Sequence, residues 1–307
     1  MLLRLLPLLI GLAACTWALL MFDWQVVGAA FLRFDLLYFL AIGVPVGMLI
    51  FIVRSLRWVA VAGLSFRPAA LWRAHLQTAL AIATAAATPL QAGEALKLKM
   101  ARDDTGADWA SLGAAFALER LADVATLFAI GALGFGLRGA SGIWLTLAAL
   151  GVAVLVAFAP VGLRWLAVLP LPRHRWSARI ASSLAPLAAY RPSAARMVVL
   201  GICTAAKWLG VVVLWQAVFV SAGISLSLAD CAVAVMLVTV SVTISMVPGG
   251  IGVAEVSTRA VLIWLGVEPG LADAGAVMLR LLTPLIIGIG LLHAIALRPV
   301  ARPVPHG

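Results

Sequence analysis

Charge is what this chain has least of. Asp, Glu, Lys and Arg make up 11% of its 307 residues, against about a quarter in a soluble domain, too few to clothe a water-facing surface. Cysteine is almost as scarce. The three present, Cys15, Cys203 and Cys231, fall in apolar stretches with no paired or metal-ligand spacing, so neither a disulfide framework nor a thiolate metal site is expected. They read as small buried hydrophobes. Four histidines (His75, His174, His293, His306) are scattered and form no His-Glu-x-x-His pattern, so no metal and no cofactor is expected. No Ser/His/Asp set, no nucleotide-binding glycine loop and no paired carboxylates in an aqueous cleft can be assembled, and the chain is not expected to be an enzyme. No polar stretch is long enough to fold as a separate soluble domain. The expectation is one integral membrane domain spanning residues 1–307.

What the chain has instead is hydrocarbon. It is 64% hydrophobic with a mean hydropathy of +1.12, and runs of about eighteen or more apolar residues recur along its length. The fold class read from this is all-α, a polytopic integral membrane protein. The formal charge of +10 fits the positive-inside rule and anionic headgroups better than nucleic acid, which is not expected as a partner. Membrane lipids are. The N-terminal run after Arg4 resembles a signal peptide, with Leu12-Ala13-Ala14-Cys15 like a lipoprotein cleavage box. Its apolar stretch continues to Phe22, about the length of a spanning helix, and is read as an uncleaved first helix.

The apolar segments are about 5–22, 36–53, 71–89, 110–137, 143–163, 197–222, 226–247, 251–266 and 275–297. Counting all nine as simple spans puts two basic loops, Arg54 to Arg73 and Arg164 to Arg196, on opposite sides, which the positive-inside rule disfavours. Treating 71–89 as a re-entrant hairpin resolves the conflict. It places 16 of the 22 Lys and Arg on the cytoplasmic side, with both termini, and leaves Arg33 and Arg138 outside with Asp23, Asp35, Glu268 and Asp273. The architecture expected is about six full transmembrane helices plus two broken, re-entrant helical hairpins of opposite orientation, like the inverted repeats of secondary transporters. Two further elements are expected. An interfacial amphipathic helix carries Trp176, Ile180 and Leu184 between Pro172 and Pro186. Gly43 and Gly47 form a small-xxx-small pair that lets helices pack closely.

The first break is Thr88-Pro89-Leu90-Gln91-Ala92-Gly93-Glu94, followed by Lys97. The second is Pro248-Gly249-Gly250-Ile251-Gly252-Val253-Ala254-Glu255. A broken helix in hydrocarbon leaves backbone groups that need protein or water partners. The Gly249, Gly250 and Gly252 backbone can present N–H groups to an anion. Glu119 and Asp123 stand at i, i+4 inside an apolar segment with Arg120 between them, three groups that would each cost about 2.5–3.5 kcal/mol facing lipid. They serve either as a packing network or as a headgroup or ion site. Glu255 and Arg259, also at i, i+4, read as a pair. Arg280 has no local acid and is expected to reach Glu255, Glu119, Asp123 or a phosphate. Lys207 is read in the same way, though it lies close enough to a helix end to snorkel.

These motifs, in this order and spacing, resemble the flippase-like family: the transmembrane region of lysylphosphatidylglycerol synthases and stand-alone proteins similar to it, some associated with hopanoid pathways. The resemblance covers nearly the whole chain. It implies a bacterial inner-membrane protein that moves a lipid between leaflets. Two-domain members carry an aminoacyl transferase after this region; the chain ends at Gly307, and it is expected to be a stand-alone member that makes no lysyl-lipid. The family commonly has Gly-Gly-Glu where this chain has Ala92-Gly93-Glu94, and often Arg where it has Lys97, which leaves the cargo open. The expected function is translocation of an amphiphilic lipid with a charged or polar headgroup through a cavity between the two hairpins. The candidate substrate-binding residues are Glu94, Lys97, Glu119, Arg120, Asp123, Gly249, Gly250, Gly252, Glu255, Arg259 and Arg280. Two alternatives stand beside it: an ion- or proton-coupled transporter of a soluble anion, and a non-transporting membrane partner of a separately encoded lipid-modifying enzyme. A homo-oligomer is also compatible with the sequence.

Overall fold

The computed structural model describes residues 2–87, 93–139, 142–168 and 190–297. The helix expected around Trp176, residues 88–92 of the first break, and Arg298 and Arg302 lie outside the described residues. Twelve helices order the rest: α1 Leu2–Met21, α2 Trp24–Leu32, α3 Leu36–Val61, α4 Pro68–Ala87, α5 Gly93–Thr105, α6 Trp109–Leu137, α7 Ile143–Val168, α8 Ala194–Ser221, α9 Leu228–Ser245, α10 Val253–Trp264, α11 Pro269–Met278 and α12 Leu282–Leu297. Two single 3-10 turns, Pro248–Gly250 and Leu279–Leu281, precede α10 and α12. Among the described residues there is no strand, and the protein is all-α.

Helices α3, α6, α8 and α9 are each long and apolar enough to cross a membrane, as is Pro269–His293, which takes in α11 and most of α12. Helices α1 and α2, bent by 82° at their junction, are together long and apolar enough for a sixth, broken span or a re-entrant loop. The run 5–22 forms one helix, α1, as expected; the bend follows it and was not expected. It is set by Asp23, whose carboxylate accepts from the N–H groups of Gln25 and Val26 at 3.0 and 3.1 Å and so starts a new helix. A side-chain acceptor at the N-cap satisfies amides that the helix itself leaves unpaired. Asp108, Ser193 and Ser227 start α6, α8 and α9 in the same way.

Helix α3 runs eight residues past Val53, to Val61. Arg54 and Arg57, which the charge count assigns to a cytoplasmic loop, are therefore helical, and both turn inward. Within this helix Gly43 and Gly47 do serve close packing. A β-carbon there would lie 2.9 Å from Leu285 and 2.5 Å from Ile289 of α12.

The packing repeats in two halves. Helix α3 lies along α8, α4 packs on α5 as α9 packs on α10, and α4 meets α12 as α9 meets α6. In each half a break is followed by a short helix. Those two helices have 13 and 12 residues, about 18–20 Å at 1.5 Å per residue, well short of about 30 Å of hydrocarbon. Helix α4 is not among the helices apolar enough to span.

The second break bends back on itself through Gly249, Gly250 and Gly252, at φ of 64°, 61° and 82°. Only glycine adopts such angles without strain. A β-carbon on Gly252 would also lie 2.7 Å from the backbone N of Cys15 and 2.8 Å from the carbonyl of Gly11, both on α1. Strain and collision act together, so Gly252→Ala should lower stability by more than about 2 kcal/mol, read from thermal unfolding in detergent. Gly201→Ala, at an exposed helical position with nothing within 4 Å, should not lower it.

Candidate functional site

The centre of the first half is a guanidinium that sees no solvent. Arg57 is wholly buried. Its NH2 group donates to Glu119 at 2.6 Å and its NH1 group to Asp123 at 2.5 Å. Glu119 and Asp123 do share one face of α6, as their spacing requires, and that face is turned to α3. Glu119 also accepts from Nζ of Lys97 on α5 at 2.9 Å. Asp123 accepts from Nζ of Lys207 at 2.7 Å and from the indole N–H of Trp208 at 3.1 Å, both on α8. Lys207 is thus a buried partner, not a snorkelling surface lysine.

Two further cations close the network on its more open side. Arg54 donates to Glu94 at 2.8 Å, and Lys97 lies 3.0 Å from the same carboxylate. Arg120 reaches Asp123 at 3.2 Å and Glu119 at 3.7 Å. It is the least buried member, with 34% of its side chain exposed. Aromatic faces complete the lining: Lys97 sits 4.3 Å above the Trp58 ring, and Arg120 sits 5.1 Å from that of Phe116. Cations over aromatic faces keep part of the electrostatic stabilisation that water would have supplied.

Five cations, Arg54, Arg57, Lys97, Arg120 and Lys207, face three carboxylates, Glu94, Glu119 and Asp123. The network carries a surplus of two positive charges. Nε of Arg54, of Arg57 and of Arg120 are buried atoms that make no hydrogen bond among the described residues, whereas NH2 of Arg120 is ion-paired with Asp123. A buried donor without an acceptor is unfavourable, and two of these three belong to Arg54 and Arg120, the most exposed cations of the network.

The second half holds a separate network. Arg280, on the turn between α11 and α12, makes a two-pronged pair with Glu255, one prong measuring 2.8 Å. It also donates to the carbonyls of Gly249 and Gly250 at 3.1 and 3.2 Å. The glycine break therefore presents carbonyl oxygens to a cation, whereas the sequence suggests amides facing an anion. Its amides are engaged internally: Gly252 N–H donates to Glu255 at 2.8 Å, and Gly250 N–H to the carbonyl of Val247 at 2.9 Å. Glu255 and Arg259 do not pair. Arg259 bonds Asp273 on α11 at 2.5 Å, and Asp273 in turn accepts from the N–H of Asp23 at 3.0 Å. One acid thus ties α10, α11 and the α1–α2 corner together.

The eleven candidate residues do not form one constellation. Glu94, Lys97, Glu119, Arg120 and Asp123 belong to the first network; Gly249, Gly250, Gly252, Glu255, Arg259 and Arg280 surround the second. Among the described residues no hydrogen bond or ion pair joins the two. Arg54, Arg57 and Trp208 are the members that the sequence reading left out or placed elsewhere. The signal was present: an apolar run, Trp58-Val59-Ala60-Val61, resumes after Arg57, and lone acids in nearby segments needed partners.

Comparison with known proteins adds one result. The family described as "Lysylphosphatidylglycerol synthase TM region" matches residues 4–290. No curated protein and no solved structure matches the chain.

Removing one partner of a buried ion pair costs about 3–5 kcal/mol, because the other charge is left uncompensated. Arg57→Met should therefore destabilise the protein by about that amount, whereas Arg138→Met, at the Arg138–Asp230 pair with both side chains partly exposed, should cost less than half as much. Thermal unfolding of the two variants in one detergent measures the difference.

Proposed function

The chain belongs to the lysylphosphatidylglycerol synthase transmembrane region family, a multi-pass membrane protein by its helices, and from that premise we propose that it translocates an amphiphilic lipid between leaflets of the bacterial inner membrane. The observation that carries this reading is the surplus of cations in the first network, whose most exposed members, Arg120 and Arg54, each keep an Nε without an acceptor. A lipid phosphate supplies the missing acceptors. Two negative charges or fewer enter a site with two positive charges to balance, so the headgroup meets fixed partners in place of the water it leaves.

The residues have distinct parts in this proposal. Arg120 and Arg54 meet the headgroup, because their side chains are the most exposed cations of the network. Arg57 does not touch it; both of its terminal nitrogens are held by Glu119 and Asp123, and it fixes the acids that position the others. Lys97 neutralises Glu94 and Glu119 from one side of the same edge. The acyl chains stay in the lipid while the headgroup passes, which avoids moving a charge through about 30 Å of hydrocarbon. The Arg280–Glu255 clamp holds the second break in shape, and its breaking and re-forming would accompany any movement of α10 against α11.

Reconstitution into vesicles with a fluorescent phospholipid, bleached selectively in the outer leaflet, tests the proposal. Protein should speed exchange of a lipid with an anionic headgroup. Arg120→Gln should slow that exchange roughly tenfold or more, the weight of one charge-assisted hydrogen bond, with thermal stability little changed. Lipid movement that does not respond to added protein contradicts the reading. Arg120-dependent uptake of inorganic phosphate without lipid movement would instead assign the site to a soluble anion.

A further inference from the structure

Helix α3 carries two different environments on opposite faces. Arg54 and Arg57 point into the charge network. Ile52 and Ser55, on the other side, help line a cavity of about 570 Å³ closed by Trp72 and His75 of α4 and by His293 of α12. Its volume lies in the range of about 300–1,000 Å³ typical of small-molecule sites. Ile52 on the spanning helix α3 and Trp72 on α4 are about half exposed, so the cavity opens sideways between the two helices on the apolar flank of α3.

The wall is apolar except at one place. His75 and His293, distant in sequence, come together with ring centroids 4.9 Å apart. Nδ1 of His75 lies 2.8 Å from the Ser55 hydroxyl, which itself donates to the carbonyl of Phe51 at 2.7 Å. A hydroxyl has one hydrogen. With it committed to Phe51, the imidazole must donate through Nδ1 to Ser55, and Nε2 of His75 is left as a bare acceptor. On the facing ring, Nδ1 of His293 is buried and makes no hydrogen bond among the described residues. The cavity thus holds polar nitrogens in need of partners at an otherwise hydrophobic wall. Its lining contains no Lys or Arg, so it lacks the fixed charge that an anionic headgroup requires.

We propose that this groove binds a membrane amphiphile bearing a neutral hydroxyl, its apolar body between α3 and α4 and its hydroxyl at the His75–His293 pair. A hydroxyl suits both nitrogens because it donates and accepts. The site is separate from the charge network and does not rest on the translocation reading. It selects a neutral lipid where the network selects an anionic one.

Photolabelling tests it. The probe is diacylglycerol with a diazirine in one acyl chain, presented to the protein in phosphatidylcholine vesicles beside the same probe with its hydroxyl capped as a methyl ether. Peptides containing Ile52 and Trp72 should be labelled roughly fivefold more by the free hydroxyl, the weight of one hydrogen bond. His293→Phe should abolish that preference, and Ile52→Trp, which fills the mouth, should lower labelling by both probes. Equal labelling of the unaltered protein by the two probes overturns the proposal, as does a preference that survives in His293→Phe. Should that variant fail to insert, the two-probe comparison on the unaltered protein decides alone. Lipid exchange is measured separately, so failure here leaves the function of the charge network untouched.

Discussion

The buried Arg57 guanidinium is the interaction on which the first half of the structure depends. A charge placed in the middle of a helix bundle demands acids at hydrogen-bond distance, and Glu119 and Asp123 supply them from α6. Those two acids exceed what one cation needs, and so they draw in Lys97 from α5 and Lys207 from α8. Four helices are thereby held in one relative arrangement by directional bonds. Apolar side chains alone do not specify position so narrowly, since hydrophobic contact is nearly non-directional. Burial also strengthens each pair, because no water competes for the charges.

The second half repeats the logic with different residues. An acid stands in the first turn after each break: Glu94 in one, Glu255 in the other. A base follows about one turn later, and it reaches an acid on the next helix: Lys97 to Glu119, and Arg259 to Asp273. The halves differ in what the breaks meet. Arg280 clamps Glu255 and two glycine carbonyls, filling the second break with a protein cation. The first network ends in Arg120, about a third exposed and with its Nε unmatched. One half is closed by its own side chains, and the other keeps a surplus of cations. That asymmetry is why the proposed headgroup site is placed at Arg54 and Arg120.

Much of this was legible in the sequence, because it follows from composition and backbone chemistry. The apolar runs made an all-α membrane protein unavoidable, and proline with glycine marked both breaks. The i, i+4 spacing of Glu119 and Asp123 put them on one face. The pairing of those acids was not legible. Arg54 and Arg57 look like the basic flank of a span that ends at Val53, and the positive-inside rule counts them as such. Only the continuation of α3 to Val61 turns them inward. Local spacing also misled at Glu255 and Arg259: an i, i+4 pair of opposite charges stabilises an isolated helix by only about 0.2–0.5 kcal/mol. Arg280 and Asp273, reaching from other elements, make better-placed partners. The nearness of His75 and His293 lay wholly beyond the sequence, because it depends on α4 meeting α12.

The account stands on an anion filling the open edge of the first network. Native mass spectrometry of the protein released from its membrane into a mild, neutral detergent addresses this most directly. The structure predicts that an anionic phospholipid stays bound in preference to zwitterionic phospholipids, and that added inorganic phosphate displaces it weakly or not at all. A protein that carries no lipid, or carries anionic and zwitterionic phospholipids in the proportions of the membrane it came from, would contradict it.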